Sequence, residues 1–327
     1  MLKTKDIVFI CDDNYCMPTA VCIRSIIDNW EHINECVTVH VCTFGLNPDN
    51  VKFLQSLSAE AVSVVVDTFD INFYKDKIEK VSQRSHVTPT ALIKFELANY
   101  YQNLNLLLYM DSDMVVKGDL YELLCTDIGE SYIGASYEFY NHINRISYSL
   151  KRSVSKAFYF NSGMMLLNLK KMRDDDIPAK MWYYKLNKAR TTLMDQESLN
   201  AICSTNTLQL PVKWNFNPIF LNKAYIKEIN KVYGTKYTSL EDMEQDACII
   251  HYVGSTDKPW NYENARSRRY WDIYYHKIYE GRRLTFKKID NEKRSYNDAI
   301  KDKIRKHGVY GFICNMIYLL SERIKNA

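Results

Sequence analysis

The sequence is short of the residues that break or staple chains. Its 327 residues include only seven prolines and ten glycines, too few for a collagen-like or long disordered segment, and no low-complexity tract or internal repeat is visible. Nine cysteines are scattered without a Cys-x-x-Cys pair, and Cys11, Cys22, Cys42, Cys203 and Cys248 lie in apolar runs. They read as reduced core thiols, which argues against a disulfide or zinc framework. No apolar run reaches the roughly twenty residues that a membrane-spanning helix needs. Met1-Leu2-Lys3-Thr4-Lys5-Asp6 runs straight into a strand that is soon followed by Asp12 and Asp13. A secretory apolar stretch is missing there, so the chain is expected to stay in the cytoplasm.

What is present is a globular composition, 46% hydrophobic, long enough for one large domain or about two of roughly 150 residues. The net charge of +4 is unevenly spread. Residues 281–327 carry twelve Lys/Arg against five Asp/Glu, net +7, which leaves −3 on the first 280 residues.

Strand and helix patterns alternate. Ile7 to Cys11 reads as a strand, Pro18 to Asn29 as a helix, and Val37 to Thr43 and Val62 to Val66 as strands around a helix that starts after Asn47-Pro48. A helix is predicted from about Thr90 to Tyr100, then a strand over Leu106-Leu107-Leu108-Tyr109-Met110. Phe158 to Leu169 is a long apolar run that must enter the same sheet. Helices follow at Pro178 to Ala189 and Asp195 to Cys203, and Cys248 to Tyr252 is a last short strand. The alternation implies an α/β fold with a mostly parallel central sheet flanked by helices. The catalytic domain is placed at residues 1–280 and a basic helical extension at 281–327.

Asp111-Ser112-Asp113 closes the Leu106 strand and puts two carboxylates where a buried strand meets its loop. Open α/β sheets bind ligands at that end. Two oxygen ligands one residue apart can grip a divalent cation and leave positions open for phosphate. Taken alone, such a pair is more often a solvated loop.

The neighbourhood decides between the two. Ile7-Val8-Phe9 with Asp12-Asp13-Asn14-Tyr15, then Leu108 to Asp113, Phe160-Asn161-Ser162-Gly163 through Leu169, Asp195-Gln196-Glu197, and His251-Tyr252-Val253-Gly254 with Lys258-Pro259-Trp260 occur in that order. Together they resemble glycosyltransferase family 8, the retaining nucleotide-sugar transferases of the lipopolysaccharide galactosyltransferase and glycogenin type. The resemblance implies a GT-A fold, one Rossmann-like sheet domain, with Mn²⁺ or Mg²⁺ bridging the diphosphate of a UDP-sugar. It places the metal on Asp111, Asp113 and His251, and an imidazole ligand favours manganese. Without the Gly254 and Lys258 that follow, His251 would read as a core histidine at a strand end.

Other roles follow from the same resemblance. Ile10, Asp12 and Asn14 are expected at the uridine and ribose end of the donor, with a helix cap as the plainer role for Asp12. Lys94 is expected to bridge donor sugar and phosphate, and His86 to lie at the acceptor rim. Asn161, Ser162 and Gly163 are expected against the donor sugar, and glycine inside a strand fits close approach by a ligand. Asp195 and Gln196 are expected beneath the sugar, although Asp195 could simply cap its helix. Gly254 and Lys258 are expected at the diphosphate, with three residues between them where the family usually has two.

The implied activity is transfer of galactose or glucose from UDP to a saccharide of lipopolysaccharide or another cell-surface glycan. A metal-dependent nucleotidyltransferase and a non-catalytic sugar-nucleotide-binding relative are the alternatives. No carboxylate is an obvious dedicated nucleophile, so a front-face route is favoured over double displacement. In the tail, basic residues interleave with Phe286, Ile289, Tyr296, Ile300 and Ile304, and about twelve apolar residues follow. That pattern suits a helix on an anionic membrane surface, near a glycolipid acceptor. A helix docked on the domain and a dimer interface are the other readings. No nucleic-acid module is recognisable.

Overall fold

A computed structural model describes residues 5–82, 89–138, 159–189, 195–218, 223–254 and 258–286. His86, residues 139–158, residues 255–257 between Gly254 and Lys258, and the tail from 287 onward lie outside them.

Among the described residues the main sheet has seven strands. In chain order they are β1 (Lys5–Ile10), β2 (Val37–Thr43), β3 (Val62–Thr68), β4 (Leu106–Met110), β6 (Ile133–Tyr137), β7 (Phe160–Asn168) and β8 (Thr207–Gln209). Their spatial order is β3-β2-β1-β4-β7-β6-β8. Pairing is parallel from β3 through β4 and between β6 and β8, while β7 runs antiparallel to both β4 and β6. The expected mostly parallel sheet is therefore present, with one reversed strand at its centre.

β7 explains why its sequence is apolar without alternation. Eight of its nine residues are buried, because the sheet is covered on both faces. Leu108, Met110, Met164 and Leu166 pack into one apolar layer with helix Cys16–Asn29. Leu107, Tyr109, Met165 and Leu167 pack into the opposite layer with helices Ile177–Asn187 and Gln196–Cys203. A leucine buried so completely stabilises the fold by roughly 1.5–3 kcal/mol.

The last short strand is present and lies in a second sheet. β9 (Ile249–His251) does not join the main sheet and pairs antiparallel with β5 (Met114–Val116), a strand absent from the sequence reading. The register sets Met114 opposite His251. The chain thus leaves β4 through Asp111-Ser112-Asp113 and enters β5 at once, so the acids sit in the link between two sheets.

The segment read as a helix from Thr90 is also different. It is a 3₁₀ helix over Pro89–Glu96 followed by one α-turn at Leu97–Tyr100. Every residue from Leu92 to Ala98 is buried, so tertiary packing and not a solvent-facing helical stripe decides its winding. The first helix begins at Cys16 and not at Pro18. Asp12 caps the short 3₁₀ turn before it, Oδ1 accepting from the amides of Asn14 at 3.0 Å and Tyr15 at 3.1 Å.

Candidate functional site

Four segments converge where β1 and β4 end and the reversed strand β7 begins. Asp111 follows β4, and its amide donates to the Gly163 carbonyl of β7 at 2.7 Å. Ser112 is buried and takes a 2.8 Å hydrogen bond from Thr19 of the first helix, which fixes the turn between the two acids. Tyr252 donates its amide to the Asp113 carbonyl at 2.9 Å, extending the β5–β9 ladder. Local sequence thus places the acids, and tertiary pairing brings His251 to them.

His251 Nε2 lies 3.2 Å from Asp113 Oδ1 and 3.7 Å from Asp111 Oδ2, and one donor atom from each of the three residues falls within 4.8 Å of the others. Asp113 Oδ1 is buried and has no hydrogen-bond partner among the described residues. Gly163 completes the cradle: a Cβ there would meet His251 Cε1 at 2.3 Å, Asp111 Oδ2 at 2.8 Å and Asn161 Oδ1 at 2.9 Å. Two carboxylates and one imidazole around space that only glycine leaves open fit a divalent transition ion.

Two lysines flank the acids. Lys94 is buried and donates to Asp195 Oδ2 at 2.5 Å and to the Ser162 carbonyl at 3.2 Å, with Asp111 Oδ1 3.4 Å away. Burial opposes its charge, but Asp111 and Asp195 outweigh burial and hold its pKa above the ordinary lysine value. Lys258 reaches Asp113 Oδ2 and the Tyr252 carbonyl, and it too is held above the usual range against its own burial, chiefly by Asp113. The two acids are driven apart. Burial is the largest influence on each and raises both. For Asp111 it prevails over the attraction of Lys94, whereas for Asp113 the attraction of Lys258 and His251 prevails and the carboxyl falls far below its normal range.

Asp195 stands at the N-cap position of helix Gln196–Cys203 but makes no capping hydrogen bond. Its Oδ2 binds Lys94 and accepts from Ser162 Oγ at 2.9 Å, so the cap reading of this residue fails. Gln196 Oε1 accepts from the Ser162 amide at 3.0 Å. Ile10 ends β1, and its carbonyl lies 3.3 Å from Ser112 Oγ. Asn14 is exposed on the turn that Asp12 caps. Gly254 has φ of 92°, in the region glycine favours.

Three further residues contribute to the site. The buried Tyr109 donates its hydroxyl to Asp111 Oδ1, and Lys94 lies over its ring at 4.4 Å. Glu138 and Asn215 are buried and bond the Asn161 side chain. A tyrosine two residues before an acid on a buried strand was a usable signal; Glu138 and Asn215 belong to no motif.

The same chain regions align with known proteins. A profile of glycosyl transferase family 8 matches residues 6–264. The chain belongs to glycosyl transferase family 8. It is 26% identical over 276 residues to general stress protein A of Bacillus subtilis, covering 83% of this chain and 91% of that protein. It is 25% identical over 308 residues to a lipopolysaccharide 1,2-glucosyltransferase of Escherichia coli, covering 91% and 86%. The solved galactosyltransferase LgtC, in complex with donor and acceptor sugar analogs, superposes with a TM-score of 0.62 at 22% identity over 83% of this chain and 95% of that one. WbbM, a bifunctional glycosyltransferase, gives 0.68 at 21% identity over 84% of this chain, which spans 51% of WbbM. The fold of this family 8 member is accordingly GT-A, and the chain is a glycosyltransferase. The nucleotidyltransferase and non-catalytic readings are set aside. Among the described residues no helix is long and apolar enough to cross a membrane.

Proposed function

We propose that this family 8 enzyme transfers galactose or glucose from a UDP-sugar to a saccharide hydroxyl of lipopolysaccharide or another cell-surface glycan, with retention at the anomeric carbon. The observation that carries the reading is the convergence of Asp111, Asp113 and His251 on the space kept open by Gly163. Those three residues would hold Mn²⁺ or Mg²⁺, which supplies charge neutralisation at the diphosphate. The names of relatives in Escherichia coli and Salmonella typhimurium, lipopolysaccharide glucosyl- and galactosyltransferases, support the choice of sugar and acceptor.

The chain's own residues position the rest. Ile10, Asp12 and Asn14 line the nucleoside end, and Gly254 with Lys258 face the diphosphate, the compact ammonium stabilising the departing oxygen. Lys94, fixed by Asp195 and lying beside Asp111, sits between the acid pair and the floor formed by Ser162, Asp195 and Gln196. Asp195 Oδ2 is engaged by a buried ammonium and a hydroxyl, and Gln196 accepts a backbone amide. Neither is poised as a nucleophile, which supports the front-face route. In the sequence, the net +7 of residues 281–327 supports a surface contact with anionic lipid at the cytoplasmic face of the membrane.

The test is UDP release from a panel of UDP-sugars with Mn²⁺ or with EDTA, first with water and then with saccharide acceptors. Turnover of UDP-galactose or UDP-glucose that EDTA abolishes supports the reading. Binding without hydrolysis or transfer for every donor, or activity indifferent to EDTA, refutes it.

A further inference from the structure

The deepest part of the site is a line of four buried polar side chains from four separate segments. Glu138 follows β6, Asn161 lies in β7, Asn215 follows the short turn Val212–Trp214, and His251 ends β9. Each is less than a tenth exposed. Asn161 Nδ2 donates to Glu138 Oε2 at 2.6 Å, Asn215 Nδ2 donates to Asn161 Oδ1 at 3.0 Å, and His251 Nδ1 meets Asn215 Oδ1 at 2.9 Å. Backbone pairing holds Asn215 in place, since the His251 amide donates to the Phe216 carbonyl at 2.8 Å.

An amide side chain can usually be turned over, which would reverse such a line. Here it cannot. The Gly163 N–H, which is only a donor, bonds Asn161 Oδ1 at 2.9 Å, so the oxygen of Asn161 must face Gly163 and its nitrogen must face Glu138. The second lone pair of that oxygen then requires the nitrogen of Asn215. The oxygen of Asn215 is left toward the imidazole, and Nδ1 must carry a proton to meet it.

We propose that Glu138, Asn161 and Asn215 form a relay of fixed polarity that holds His251 as its Nδ1–H tautomer and aims the Nε2 lone pair between Asp111 and Asp113. The inference rests on the cation site proposed above. Asn215 and Glu138 are positioning residues in it. The polarity begins at a backbone amide of β7, so the strand that lines the site also sets the protonation of a ligand on the opposite side. Hydrogen-bonded partners of this kind raise the basicity of a ligating imidazole and fix its ring plane.

Long-range ¹H–¹⁵N NMR of histidine-labelled, metal-free protein, taken where the ring is neutral, reads the tautomer directly. Wild type is expected to show Nδ1–H, and Nε2–H in wild type overturns the proposal even if no variant folds. Asn215→Ala is expected to release the tautomer preference and weaken Mn²⁺ binding, measured by calorimetry, by about 10–100-fold. Asn215→Asp keeps an acceptor at Nδ1 but loses the donor to Asn161 Oδ1, so it is expected to retain the tautomer and recover only part of the affinity. A folded Asn215→Ala protein that keeps Nδ1–H, or that binds Mn²⁺ within about twofold of wild type, overturns the relay. Wild type that shows Nδ1–H yet binds no Mn²⁺ refutes the cation site and leaves the relay standing.

Discussion

Two histidine-and-carboxylate clusters, one on the main sheet and one where that sheet meets the β5–β9 ladder, obey opposite rules. In the first, His40 of β2 bridges Asp6 of β1 at 3.1 Å and Asp67 of β3 at 2.8 Å, while Tyr101 donates to Asp67 at 2.6 Å. Donors alternate with acceptors, and the cluster is complete in itself. In the second, His251 turns one nitrogen to a neutral amide and the other toward two acids, and Asp113 Oδ1 has no hydrogen-bond partner among the described residues. Residue types are nearly the same, so composition does not separate a structural cluster from a binding one. The order of donors and acceptors does: electron-rich atoms that face each other call for a positive guest.

The sharpest way to break this contrast is to remove one acid. Asp113→Ala is expected to abolish cation-dependent UDP binding and to lower turnover by at least about a hundredfold with the fold intact. Calorimetry with and without Mn²⁺, beside a circular dichroism spectrum, checks it, and unchanged affinity would refute the assigned site. Gly163→Ala comes next. Its added Cβ would collide with His251 Cε1, so Mn²⁺ affinity should fall by about tenfold or more while every ligand remains.

The self-contained cluster answers to pH instead. Burial disfavours charge on His40, yet the hydrogen bonds it donates to Asp6 and Asp67 prevail and raise its pKa to about 9. The unfolded ring releases its proton near 6.5, so this stabilisation is complete below that value and is lost as pH rises through about 9. Denaturant unfolding is expected to show a decline of about 3 kcal/mol across that window, absent in His40→Gln. Equal slopes in the two proteins would remove His40 as the cause. The smallest effect is assigned to Tyr109→Phe. It deletes one hydrogen bond to Asp111 and should reduce turnover by about tenfold or less, with thermal stability nearly unchanged.

The two clusters were unequally visible in the sequence. Asp111, Asp113 and His251 stand at strand ends beside recognisable neighbours, and the strands that carry them are apolar enough to place. β5 and β8, three residues each, are too short to display a period, and so the separate β5–β9 sheet was not foreseen. Lys94 was found although its helix type was not, because the buried 3₁₀ segment has no amphipathic face to read. Glu138 and Asn215 gain their roles only from tertiary adjacency. The same holds for His40, whose partners lie 34 and 27 residues away.

The β5–β9 ladder gives the cation a mechanical meaning. Asp113 and His251 are 138 residues apart in sequence, and β9 belongs to the apolar layer that holds helix Arg268–Ile278. On the proposed reading, an ion held by both would act as a reversible clasp between β9, with the helix packed beside it, and the centre of the main sheet. Its binding energy is then also cohesion of that region, and hydrogen exchange in Ile249–His251 should slow more on adding Mn²⁺ than exchange in β2 or β3.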